Sequence, residues 1–455
     1  MAELMVGVSG IRGIVGQTLT PQVAVQAASA FGTMLGGGRI VVGRDTRPSG
    51  QALAMAIHAG LLAAGCEVID LGVATTPGVT VMIGELAAAG GVVVTASHNP
   101  APWNGIKFFR SDGIDLSGDQ GATLRKLWQS QDFHLVGGDG FRSMASDDTV
   151  HTRHIARVLA AADRQAIARP YGPTGRPIKA VLDCNHGAGA IVTPLLLSEL
   201  GCQVHVLGSE PDGRFDHTPE PVMENLEAVC EAVKAAGADV GLVQDPDADR
   251  LALIDEGGRF LGEEYTLALS ALYRLAQQPG PVAANLSTSR MIDDVAALHG
   301  QVCHRTPVGE VNVADRIVAE GCVIGGEGNG GVIDPRICPI RNSLAGMVLI
   351  LGLMAERGKP LSEIASELPR YTMIKRKAAA PREAVARLID ALPGAFTDAA
   401  ADTQDGVRLD WPQGWVHVRP SNTEPIYRSI GESADPAWVE QKLDDVAALA
   451  ERVMT

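Results

Sequence analysis

Gly91-Val-Val-Val-Thr-Ala-Ser-His-Asn-Pro-Ala-Pro-Trp-Asn-Gly-Ile-Lys107 is the stretch from which the rest of the chain is read. Three successive valines predict a buried strand, and the small and polar residues after them, closed by Pro100 and Pro102, end it abruptly. Ser97 therefore falls on a loop at a strand end, where open α/β sheets bind their ligands. A plain turn serine would need none of its neighbours. Here His98 can handle a proton, Asn99 and Asn104 can donate to an oxyanion, and Lys107 brings a cation within reach of the same loop.

Upstream, strands and helices alternate. Thr20 followed by Pro21 opens a helix, Arg39 to Gly43 reads as a strand, Gly50 to Ala64 as a helix, Glu67 to Leu71 as a strand and Gly78 to Ala89 as a helix. Such alternation predicts a largely parallel sheet with helices on its faces. Arg44, Asp45 and Arg47 cluster at a strand end, either as a salt-bridge network behind the serine loop or as direct ligand contacts. The segment Val8 to Gly16 carries Arg12 among glycines, which let a backbone approach an anion closely while arginine binds phosphate bidentately.

A Pro-, Gly- and Arg-rich linker at Ala168 to Pro177 leads into a second unit, with strands Ile178 to Asp183 and Gln203 to Leu207 and a helix from Met223 to Ala236. It ends in Asp239-Val-Gly-Leu-Val-Gln-Asp-Pro-Asp-Ala-Asp-Arg250. In extended chain, side chains two apart share a face, so Asp245, Asp247 and Asp249 converge on one hard cation such as Mg²⁺, which removes their mutual repulsion. An EF-hand loop would place Glu256 correctly, but its sixth position is Arg250 where a sharp turn needs Gly, and the flanks read as strands.

A third unit has strands Val282 to Asn285, Gln301 to Arg305 and Cys322 to Gly325. Thr306-Pro-Val-Gly-Glu310 opens a helix whose free N–H groups suit an anion, and in Gly326-Glu-Gly-Asn-Gly-Gly331 the glycines admit a ligand while Glu327 and Asn329 can read hydroxyls. After Pro369 and the basic run Lys375 to Lys377 the order of elements changes to that of an α+β unit. It contains Arg419-Pro-Ser-Asn-Thr-Glu-Pro-Ile-Tyr-Arg428, where two arginines, two hydroxyls and an amide make a phosphate clamp.

The net charge of −15 argues against nucleic acid or an anionic membrane as partner, and leaves room for a small anion in a local basic pocket. No apolar run is long enough to span a bilayer or to serve as a signal peptide, so the expected location is the cytoplasm. Seven scattered cysteines with no C-x-x-C pair read as reduced core residues.

The Ser97 string resembles the phosphoserine loop of the α-D-phosphohexomutases, and the Gly-Ile-Arg-Gly turn, the Asp-x-Asp-x-Asp-Arg loop and the Arg419 to Arg428 loop resemble that family's other site loops, in the same order along the whole chain. The resemblance implies three similar α/β domains with mainly parallel sheets plus a C-terminal α+β domain around a central cleft, divided here as residues 1–150, 151–258, 259–369 and 370–455. It implies a hexose 6-phosphate to hexose 1-phosphate isomerisation through a phosphoserine and a bound hexose 1,6-bisphosphate, with Mg²⁺ held by Ser97, Asp245, Asp247 and Asp249. Catalytic roles fall to Ser97, His98, Lys107, Arg12 and Arg250, with Lys107 or His98 as general acid or base. Substrate contacts fall to Thr306, Gly309, Glu327, Asn329, Arg419, Ser421, Asn422, Thr423 and Arg428.

One loop departs from the commonest family forms. Asn329 stands where those have Ser and Gly331 where they have His, and the Glu-Gly-Asn-Gly-Gly form favours glucosamine phosphate, with mannose or glucose phosphate as the alternative. Outside the family, the rival is a metal-dependent phosphatase with a serine phosphoenzyme, which gains nothing from a second phosphate clamp. The expected partner is a phosphosugar alone, with the protein a monomer or homodimer.

Overall fold

Val92, Val93 and Val94 are fully buried in strand Gly90–Val94, which lies inside the largest of four sheets among the described residues. The computed structural model describes residues 4–7, 10–421 and 425–454. The first sheet has seven strands. Strands Gly38–Arg44 and Cys66–Val73 pair in parallel with each other, and Gly38–Arg44 also with Gly90–Val94, while Gly90–Val94 pairs antiparallel with Trp103–Arg110. Helices Pro21–Leu35, Gly50–Ala63 and Thr76–Glu85 cover it, with Thr20 and Thr75 capping the first and third through their side chains.

Two smaller sheets repeat the plan with four strands each: a parallel core, Lys179–Asp183 beside Gln203–Leu207 and Val240–Gln244 in one and Val282–Asn285 beside Cys303–Thr306 and Ile324–Glu327 in the other, plus one antiparallel edge strand. The fourth sheet is wholly antiparallel, five-stranded, and packed against helices Arg382–Ala395 and Pro436–Met454. The expected architecture of three α/β units and an α+β unit is therefore present. The first sheet is more mixed than expected, because the chain returns beside the valine strand instead of crossing over.

That return is the main correction. Trp103–Arg110, to which the sequence reading assigns no element, is a strand whose Ile106 and Phe108 are fully buried. Alternation along it puts Lys107 on the opposite face from those two. Lys107 is thus held by a sheet within reach of the serine loop. The helix expected from Gly78 to Ala89 runs Thr76–Glu85, and helices Gly118–Ser130, Val150–Ala161 and Glu263–Gln277 have no counterpart in the sequence reading. Among the described residues no helix is long and apolar enough to cross a membrane.

Candidate active site

Ser97 sits just past the end of the valine strand with φ of 49°, in the left-handed region that a non-glycine residue occupies only when its surroundings hold it there. Arg47 does much of the holding. Its guanidinium, 1% exposed, donates to the carbonyls of Ser97, Asn99, Pro100 and Trp103 at 2.6, 2.7, 3.1 and 3.2 Å and pairs with Asp45 at 3.0 Å. Thr95 completes the cradle: its hydroxyl donates to Asp45 and accepts from the Ser97 N–H. Of the two readings of this cluster, Arg47 and Asp45 therefore form the network behind the loop. Asn104 belongs there too, since it is buried and donates to Ser49 rather than facing the cleft.

The Ser97 hydroxyl donates to Asp245 Oδ2 at 2.7 Å and lies 3.3 Å from His98 Nδ1. Asp245, Asp247 and Asp249 do converge, with ligand atoms all within 4.8 Å of one another. Strand alternation is not the reason. The three lie in the connection between strands Val240–Gln244 and Leu251–Asp255, where Ala248 takes φ of 58° and Asp245 Oδ1 accepts from the N–H groups of Asp249 and Arg250 at 3.1 Å each. Thr76, at the start of a first-domain helix, donates to Asp247 Oδ2 at 2.7 Å.

Charge around this loop is dense. Lys107 Nζ lies 2.9 Å from Asp247 and 3.3 Å from Asp249, and Arg341 reaches Asp249 at 2.7 Å. Burial and the neighbouring Asp249 and Asp247 push the Asp245 carboxyl well up, whereas at Asp249 the cations Arg341, Lys107 and Arg250 outweigh burial and hold it down. Arg250 and burial push His98 down to about 2, so its imidazole is neutral. Arg12, on strand Gly10–Ile14 paired beside Trp103–Arg110, donates to Asn99 Oδ1 at 2.9 Å. A cavity of about 120 Å³ runs between Arg12, Thr95 and Lys107.

Asp247 Oδ1 and Asp249 Oδ1 are buried with no hydrogen-bond partner among the described residues, and orphaned carboxylate oxygens of this kind are costly to leave unmatched. An oxygen-seeking divalent cation fits them. The donor set of three carboxylates with the serine oxygen beside them is that of a hard metal such as Mg²⁺.

The same Arg341 reaches Glu327, 5% exposed, which accepts from Arg341 and Asn285 at 2.7 Å each, from Gly309 N at 3.3 Å and from Asn329 at 3.4 Å. Thr306 is buried, with its hydroxyl on the Pro307 carbonyl. In the fourth domain Arg419 and Arg428 face each other in register on paired strands, and Arg419 Nε lies 3.2 Å from Asp405, which also accepts from Val308 N at 3.0 Å. Asn422 and Thr423 lie outside the described residues, as do Val8 and Ser9 of the Arg12 segment. Ser421 lines a cavity of about 700 Å³ between the fourth domain and Arg125 of the first.

Sequence reasoning missed Arg341, Glu310, Asp115 and Thr76. Burial pushes Asp115 up to about 6 and Glu310 up to about 8. The one available signal was Arg341-Asn342-Ser343 ahead of an apolar helix: an arginine beside an Asn cap must enter the interior with a partner.

Fold and site together are those of a multidomain enzyme with its polar groups gathered where the domains meet. Phosphoglucomutase/phosphomannomutase models for α/β/α domains I, II and III and for the C-terminal domain match residues 3–135, 165–258, 263–371 and 373–449. A probable phosphoglucosamine mutase of Methanopyrus kandleri is 39% identical over 98% of this chain and 97% of its own. A phosphoglucomutase/phosphomannomutase of Thermococcus kodakarensis is 38% identical over 96% of each. The crystal structure of a phosphoglucomutase/phosphomannomutase family protein from Burkholderia thailandensis superposes with a TM-score of 0.85 at 28% identity, covering 98% of this chain and 96% of that one. The chain belongs to the phosphoglucomutase/phosphomannomutase family, the phosphohexomutases, and is an isomerase of that type.

Proposed function

We propose that the protein interconverts glucosamine 6-phosphate and glucosamine 1-phosphate through a phosphoserine at Ser97. The observation that carries this reading is the 2.7 Å hydrogen bond from Ser97 Oγ to Asp245, inside a triad of buried carboxylates. In the first half-reaction the Ser97 Oγ–P bond breaks as a bond forms between phosphorus and a free hexose hydroxyl, giving a 1,6-bisphosphate. The sugar then turns round and its other phosphate returns to Ser97.

Asp245, Asp247, Asp249 and the serine oxygen would hold Mg²⁺, which when bound neutralises charge on the transferring phosphoryl oxygens. Arg12, Arg250 and Lys107 add fixed positive charge on the same side. The proton lost by the hexose hydroxyl is balanced by one gained at the freed Ser97 oxygen, with the neutral His98 imidazole, 3.3 Å from that oxygen, or the Lys107 ammonium as the general acid or base. Glu327 and Asn329 read ring hydroxyls, Thr306 and Gly309 line that subsite, and Arg419, Ser421, Asn422, Thr423 and Arg428 bind whichever phosphate is not reacting. Free thiols at all seven cysteines support a reducing, cytoplasmic setting.

The names of several relatives support glucosamine phosphate as substrate. A second reading, mannose and glucose phosphates, is favoured by the Thermococcus relative at 38% identity. Coupled assays with Mg²⁺ and a trace of hexose 1,6-bisphosphate decide between them by the ratio of kcat/KM values. Glucosamine phosphate should be turned over best, and a ratio favouring mannose or glucose phosphate overturns the sugar assignment. Phosphate release without isomerisation overturns the mutase mechanism.

A further inference from the structure

Gly331 is glycine for reasons of space. Its backbone is outside the left-handed region, so no special conformation requires it, yet a Cβ there would lie 2.1 Å from Arg341 Cδ and 2.8 Å from Arg341 Cγ. Those are mid-stem atoms of a side chain whose far end is pinned. Arg341 Nη1 donates to Glu327 at 2.7 Å, and Nη2 lies 2.7 Å from Asp249 and 3.2 Å from Glu310, while its own N–H donates to Glu310 at 2.6 Å. Three acidic side chains from three separate segments, the Asp249 loop, the end of strand Ile324–Glu327 and the start of helix Glu310–Glu320, meet on one buried guanidinium, so the stem has no free direction in which to yield.

We infer that Arg341 is a positioning residue that seats the metal-loop carboxylate Asp249 and the hydroxyl-reading carboxylate Glu327 on a single fork, and that Gly331 exists to make room for its stem. This rests on the reading of the site given under Proposed function. A planar guanidinium can hold two carboxylates at a fixed separation, which a lysine point charge cannot. The two halves of the site, phosphoryl transfer and sugar reading, are then registered to each other by one side chain. The bare Gly-Gly end of the loop is the counterpart of a bulky arginine entering from elsewhere in the chain.

The test is a double-mutant cycle of Gly331→Ala and Arg341→Ala, with Arg341→Lys as a charge-keeping control. Both single substitutions should lower kcat/KM at least 10-fold, the range seen when groups that orient site ligands are lost, and the double variant should be within threefold of the worse single. Arg341→Lys should stay as impaired as Arg341→Ala. In the metal-free, ligand-free protein the melting midpoints should be non-additive in the same way, a readout independent of turnover. Millimolar guanidinium should partly restore Arg341→Ala and leave Gly331→Ala, which keeps its own arginine, unrestored. Additive effects on both activity and midpoint overturn the proposal, as does full activity of Gly331→Ala. Loss of isomerase activity in the unmutated protein would instead overturn the mutase reading and leave the melting cycle as the test of the fork.

Discussion

Ser97 and Asp245 are 148 residues apart in sequence, and the hydroxyl of the first donates to Oδ2 of the second at 2.7 Å. Each ends a strand of a different sheet, so this contact exists only when the first and second domains are docked. Its partners Thr76 and Lys107 tie the same two domains together at Asp247. The geometry of the proposed site and the packing of the two domains thus share these bonds.

The metal loop is the first place to probe. Asp247→Asn removes one of two orphaned carboxylate oxygens and the charge that faces Lys107. Isomerisation should fall at least 100-fold, and chelation of divalent ions should abolish it in the unmutated protein and be reversed by Mg²⁺. Circular dichroism should show an unchanged fold. Activity that survives thorough chelation would contradict the assignment of the triad.

Arg47 should govern stability as well as activity. Removing its guanidinium takes a donor from four carbonyls and the counter-charge from the buried Asp45. Arg47→Met should cost about 3 kcal/mol or more, the range for a broken buried charge pair, read by urea unfolding. A cost under about 1 kcal/mol, the level of a surface pair, would mean that the loop is held otherwise.

Much of this was legible in advance, and the misses share one cause. Ser97, the three aspartates and the arginine pair stand in dense local strings, where several chemistry-bearing residues lie within ten positions of one another. Arg341 belongs to no string that carries a recognisable chemistry, and reaches Asp249 and Glu327 where Asn342 caps helix Ser343–Arg357. Thr76 likewise becomes a partner of Asp247 only through docking of two domains. The convergence of the aspartates was legible but for the wrong reason: an Asx-type turn closed on Asp245 brings them together, not an extended strand. Strand Trp103–Arg110 has no element assigned to it in the sequence, since an Asn-Gly pair and a lysine interrupt its apolar pattern.

His154 gives a pH prediction. It is buried between Thr75 and Asn342, the neighbours of Thr76 and Arg341, and burial pushes it down to about 4. The unfolded chain takes up this proton near pH 6.5 while the folded chain refuses it until about pH 4, so stability present above pH 6.5 is lost as pH falls across that window. The loss should approach about 3 kcal/mol. Because Glu310 and Glu264, both pushed up to about 8 by burial, act in the opposite direction, the observable is the stability difference between wild type and His154→Gln. That difference should shrink from pH 7.5 to pH 4.5; a constant difference would contradict the assignment.

The fourth-domain clamp should act on binding. Arg419 stands in register with Arg428, beside an Asp405 that also holds Val308 of the third domain. Arg419→Ala should raise KM for the phosphosugar at least 10-fold, with a smaller change in kcat, as expected when a group binds the non-reacting phosphate in ground and transition states alike. A fall in kcat with KM unchanged would place Arg419 at the transferring phosphate instead.

The central claim is that Ser97 carries the phosphoryl group, and the most direct measurement is incubation with hexose 1,6-bisphosphate radiolabelled in phosphorus, followed by peptide mapping. The label should appear on the peptide containing Ser97, leave again on addition of unlabelled hexose monophosphate, and be absent from Ser97→Ala, whose isomerase activity should be lost with it. Label on another residue, or full isomerisation by Ser97→Ala, would contradict the account.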